Sequence, residues 1–121
     1  MTVIKVNLAQ KFSLFDEQWS PKLVGRVDEY AVKLAKLQGE FVWHHHEDED
    51  ELFLVVRGQL TIRLRDGEIL LDEGEFVVIP RGIEHLPVAD DECHVLLFER
   101  QGLRNTGNVV NERTHEQIET L

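Results

Sequence analysis

Residues 51–80 read ELFLVVRGQLTIRLRDGEILLDEGEFVVIP. Residues 51–56 are β-prone and run into Gly58. Over 60–65, Ile62 and Leu64 alternate with Thr61, Arg63 and Arg65, the period of a half-buried strand. Asp66-Gly67 is a tight-hairpin signal, and 68–71 returns. Asp72-Glu73-Gly74-Glu75 turns again, and 76–79 reads as a buried strand that Pro80 stops. Working outward, strands are expected over 23–27, 30–37, 40–46, 86–88 and 94–100. Turns are expected at Gln38-Gly39, at the acidic run 47–50 and at Asp90-Asp91-Glu92. Eight or more short strands with no long helix predict an all-β antiparallel sandwich or barrel.

The chain has 121 residues, which suits one domain. It divides into an N-terminal arm (1–21), a β-barrel (22–100) and a polar C-terminal tail (101–121), with 111–121 expected frayed or weakly helical. Lys and Arg number 13 against 23 Asp and Glu, a formal net charge of −10. Such a chain repels phosphate backbones and anionic lipid, so neither nucleic acid nor a membrane is expected as a partner. No apolar run approaches the roughly 20 residues that span a bilayer. The first residues lack the apolar stretch and cleavage site of a signal peptide, and a single cysteine, Cys93, forms no internal disulfide. A cytoplasmic protein is the expectation. In the arm, Asn7 is placed to cap a helical turn over residues 8–11. Phe12, Phe15 and Trp19 recur at spacings of three and four, either closing one end of the core or meeting a second subunit. Their apolar area, with the edges of the sheet, leads to the expectation of a homodimer.

Three histidines stand together at 44, 45 and 46. In a strand, residues i and i+2 share a face about 6.6 Å apart, so His44 and His46 can reach one metal ion while His45 points away. A turn over 47–50 brings Glu51 back beside them, where its carboxylate could serve as a third ligand. Three histidines followed by acids also suit a solvated loop. His85 favours the metal: it follows the reversal Pro80-Arg81-Gly82, from which a strand can face the same interior.

These spacings resemble the two motifs of the cupin superfamily. His44-x-His46-x4-Glu51-x6-Gly58 matches the first motif from its first histidine onward; the leading glycine, Gly39, stands one residue too close. Gly74-x5-Pro80-x-Gly82-x2-His85 matches the second motif, with Ala89 where the family has asparagine. The chain is similar to small single-domain bacterial cupins often described as mannose-6-phosphate-isomerase-like. The resemblance implies a jelly-roll, double-stranded β-helix barrel with a metal near its mouth, held by His44, His46, Glu51 and His85. Three imidazoles and a carboxylate suit a divalent transition metal, Mn, Fe, Ni, Co or Zn, and leave two octahedral positions open.

A small, oxygen-chelating organic molecule is the expected ligand. The expected activity is metal-dependent isomerase, lyase or dioxygenase chemistry, with Glu51 as the catalytic carboxylate. A non-catalytic binding or sensing module is the alternative. Phe53 and Val55 share a strand face with Glu51, and Val32, Leu34, Ile62 and Leu64 are further lining candidates. Lys36 alone among the nearby cations falls on the parity of Val32 and Leu34, so a phosphorylated ligand is not favoured. Tyr30 and His94 have no assigned facing. Cys93 is expected to be a small buried hydrophobe.

Overall fold

The computed structural model describes residues 2–121. The expected helical turn forms as α1 (Leu8–Phe12), with Asn7 Oδ1 accepting from the Gln10 amide at 3.0 Å. Eight strands follow: β1 (Lys22–Val27), β2 (Tyr30–Glu40), β3 (Glu51–Arg57), β4 (Leu60–Leu64), β5 (Gly67–Leu71), β6 (Phe76–Ile79), β7 (His85–Arg100) and β8 (Glu119–Thr120). They form one sheet ordered β5-β4-β7-β2-β1-β8, with β3 on β7 and β6 on β3. The sheet is not closed by hydrogen bonds; it folds over itself as a jelly roll, with β5, β6 and β8 at its ends.

Two expected turns are absent. Gln38-Gly39 lies inside β2, where Gly39 takes φ +82° at a shift in register between Leu37 and Gly39. Opposite that shift, the partner of β2 passes from Cys93 to Ala89, so Asp90, Asp91 and Glu92 face the single residue Gln38 and β7 carries two extra residues within one strand. They are exposed, and the polar triplet bulges without reversing the chain. The resulting 16-residue β7 pairs with β2, with β4 through His85–Val88 and with β3 through residues 94–99, joining the two halves of the roll. Residues 41–50 are not a regular strand; one antiparallel bridge, His44 to His85, ties them to β7.

β2 is buried on both faces. Its Ala35 and Leu37 enter the main core with Phe53, Val55, Ile62 and Val95, whereas Leu34 packs on the other face against Phe12 and Phe15. Val32 and Leu34 are therefore not interior lining, because the arm covers their side of the sheet. Lys36 shares that outer side: its Nζ donates to the Phe15 carbonyl at 2.5 Å and sits over the Phe15 ring. Phe12, Phe15 and Trp19 are all buried on their own chain, which removes the exposed apolar arm as a reason for a dimer. Replacing Asn7 with alanine should cost about 1 kcal/mol, by unsatisfying the first turn of α1. Urea denaturation should show a lower midpoint at unchanged slope.

The tail is ordered against the roll. Thr106 is fully buried, the Asn108 amide donates to the His45 carbonyl at 3.0 Å, and Asn108 Oδ1 accepts from the His45 amide at 2.9 Å. Arg113 lies over the Trp19 ring, and β8 pairs in parallel with β1. Residues 101–109 form a strap beside the histidine segment. Among the described residues, no helix is long and apolar enough to cross a membrane.

Candidate metal centre

Three connections converge on one point. His44 and His85 exchange backbone hydrogen bonds at 3.1 and 2.9 Å, which fixes the histidine segment to the start of β7. The Gly82 amide donates to the His46 carbonyl at 2.8 Å, so the reversal after Pro80 is stitched to the same segment. Glu51 opens β3, opposite Ile79 of β6 and Glu99 of β7. The result brings His44, His46, Glu51 and His85 together, all buried, with ligand atoms within 4.8 Å of one another. His45 points away, as the alternation predicts, and its Nε2 meets Glu47 at 2.6 Å.

The donor atoms are prepared for a cation. His44 Nδ1 lies 2.9 Å from the Val42 carbonyl and His85 Nδ1 3.0 Å from the Ile83 carbonyl. A carbonyl only accepts, so both rings carry their proton on Nδ1 and leave the Nε2 lone pair free. His46 Nε2 and His85 Nε2 lie 3.3 and 3.5 Å from Glu51 Oε1, and none of these three buried atoms has a well-formed hydrogen bond. Orphaned polar atoms in such a place cost free energy unless something binds them. A divalent ion fits the set. Burial, then the neighbouring His85, lowers the His44 pKa to about 4, so this imidazole stays in its neutral, ligating form.

Sequence reading missed Glu99. It belongs to the alternation Val95, Leu97, Glu99 of β7, a signal that identifies it as an acid facing the core. Its carboxyl adjoins that of Glu51, and Lys33 Nζ stands 3.3 Å from its Oε1, with both side chains buried. Burial would raise Glu51, but the pull of His46, His85 and Glu99 outweighs it and holds Glu51 well below the usual range. Burial and then the charge of Glu51 push Glu99 well above that range, against the opposing effect of Lys33. The two adjoining carboxyls are thus pushed in opposite directions, Glu51 down and Glu99 up.

The metal set opens onto a cavity of about 30 Å³, walled by Trp19, Leu37, Phe41, Phe53, Glu99 and Asn105 among others. That is room for little more than a water-sized occupant. Phe53 lines it, while Val55, Ile62 and Leu64 pack in or against the core. His94 faces the arm, stacked on Phe12 at 4.5 Å, and Tyr30 stacks on Phe98 near the end of β2. Cys93 is buried, and burial followed by Glu73 raises its thiol to about 11, which leaves it a small hydrophobe.

The family profile of the cupin domain matches residues 31–99, more than half of the chain. The chain belongs to the cupin domain family. Among solved structures it is similar to a cupin-2 domain containing protein from Shewanella frigidimarina, with 47% identity and a TM-score of 0.79, covering 79% of this chain and 94% of that one. It is also similar to protein NMB1881 from Neisseria meningitidis, with 29% identity and a TM-score of 0.75, covering 81% of this chain and all of that one. Uncharacterized protein YdbB from Bacillus subtilis is 41% identical over 63 residues, which span 51% of this chain and 56% of that relative.

Proposed function

We propose that this cupin holds one divalent transition metal, Mn, Fe, Ni, Co or Zn, through His44, His46, Glu51 and His85, and uses it on a small oxygen-chelating organic ligand. The observation that carries the reading is the set of buried, orphaned donor atoms with two histidine tautomers fixed by backbone carbonyls. A bound divalent ion would polarise a ligand oxygen. Glu51 is the group that accepts a proton, and enzymatic isomerase, lyase or dioxygenase chemistry is the form of activity proposed. The second reading is a non-catalytic binding or sensing module; in either reading a small organic ligand needs the strap to move, since the cavity of about 30 Å³ holds little more than water. Exposed Phe76 and Val78 on the edge strand β6 support a homodimer, and the lone reduced cysteine supports a cytoplasmic setting.

The two readings separate on Glu51→Gln. If the protein is an enzyme, a screen of small hydroxy-acid and enol compounds yields turnover by the wild-type chain. Glu51→Gln then keeps measurable metal while losing most of that turnover. A fall in rate only in proportion to metal content would leave Glu51 a ligand alone. Saturable binding of a screened compound without turnover would favour the sensing module.

A further inference from the structure

A second space lies between the sheet and the tail. It is a trough of about 350 Å³, lined by Arg26, Lys33, Arg104, His115 and Glu116 together with apolar residues. Pockets for small organic molecules begin at about 300 Å³, so this space has the capacity that the metal cavity lacks. Its position follows from strand register. Arg26 pairs with Ala31 and Leu23 with Lys33 across β1 and β2, and Ala31 pairs with Glu99 across β2 and β7. Directly opposed residues share a face, so Arg26, Lys33 and Glu99 all stand on the inner side of the sheet. Lys33 lines the trough, its partner Glu99 lines the metal cavity, and this buried pair stands between the two spaces.

The charge here runs against the rest of the molecule. The chain carries a formal −10, yet the trough gathers two guanidiniums, an ammonium and an imidazole around one carboxylate. That carboxylate, Glu116, pairs with Arg104 at 3.6 Å and Lys33 pairs with Glu99 at 3.3 Å, while Arg26 has no carboxylate partner among the described residues. Converging cations in a concave, partly apolar space recognise an oxyanion through charge-assisted hydrogen bonds. We propose that this trough binds the oxyanion group of a small organic molecule, a carboxylate or a phosphate, with Arg26 and Arg104 as the exposed arms and Lys33 as the buried floor. This reverses the expectation drawn from Lys36: the inward cation of β2 is Lys33. The site stands on its own residues whether or not a metal is held nearby.

The test is calorimetric titration of the purified full chain with inorganic phosphate and, separately, with malonate, with metal content measured in every sample. Saturable binding of at least one anion is expected, weakened about tenfold or more in Arg26→Gln/Arg104→Gln. Both arginines are on the surface of the trough, so this double variant is expected to fold. Arg57→Gln/Arg63→Gln, which removes the same charge elsewhere, is expected to bind as the wild type does. Tighter phosphate than malonate identifies a phosphate ester as the ligand class, and the reverse order identifies a carboxylic acid. No saturable binding, a loss of less than about tenfold in the trough variant, or an equal loss in the control variant overturns the proposal. An anion seated on the metal would follow metal content and ignore the trough variant, so failure of this site and failure of the metal centre read out separately.

Discussion

Replacing His85 with alanine is expected to remove nearly all metal affinity. The residue is fully buried, its Nδ1 is oriented by the Ile83 carbonyl, and its Nε2 faces Glu51 with no other well-formed partner. Losing an outer partner of a metal ligand typically costs about 10–100-fold in affinity, and losing the ligand itself should exceed that. His44→Ala and His46→Ala should behave alike. His45→Ala should retain metal, because its ring turns toward Glu47 and away from the cluster. Metal content after dialysis, measured beside circular dichroism to confirm folding, distinguishes these variants. An equal loss from His45→Ala and His44→Ala would contradict the facing of the histidine segment.

Gly107→Ala is expected to lift the strap. Gly107 has φ +57°, and a Cβ added there would collide with the His45 carbonyl oxygen and stand 3.0 Å from His44 Cδ2. That carbonyl cannot yield easily, since it already accepts from Asn108. Left-handed backbone and overpacking together should cost roughly 2–4 kcal/mol. The expected result is faster proteolysis within 101–121 and a lower melting temperature, with metal held less tightly because His44 lies beneath. Gly39→Ala supplies the contrast: its φ is +82°, but an added Cβ meets nothing within 4 Å, so only the backbone cost of about 1 kcal/mol applies. Proteolysis of Gly107→Ala at the wild-type rate would show that the strap is not seated on the histidines.

The cluster of His44, His46, Glu51 and His85 was legible because its signals are local. His44 and His46 follow from i, i+2 spacing, Glu51 from a short connection, and His85 from the Pro80 to Gly82 reversal. Strand existence was equally legible from alternation in β4 and from the apolar run of β6, but β6 is an edge strand that exposes Phe76 and Val78 and not the buried strand expected over 76–79. Direction and facing were not. Asp90-Asp91-Glu92 has the composition of a turn, but the triplet stands opposite the single residue Gln38 as a bulge and leaves the chain running straight on. β2 carries apolar residues on both faces, and nothing within it says that α1 covers Leu34 while Ala35 and Leu37 take the interior. Glu99 and Lys33 gain their meaning only from cross-strand register, and the strap only from contacts between segments about sixty residues apart (His45 with Asn108).

Metal content of the full-length chain, purified without chelator and then titrated with Co(II) or Mn(II), is the most direct measurement. About one ion per chain is expected, with His44, His46 and His85 each required for it. A folded wild-type chain that takes up no divalent metal, or holds it equally well after His85→Ala, would contradict the metal centre.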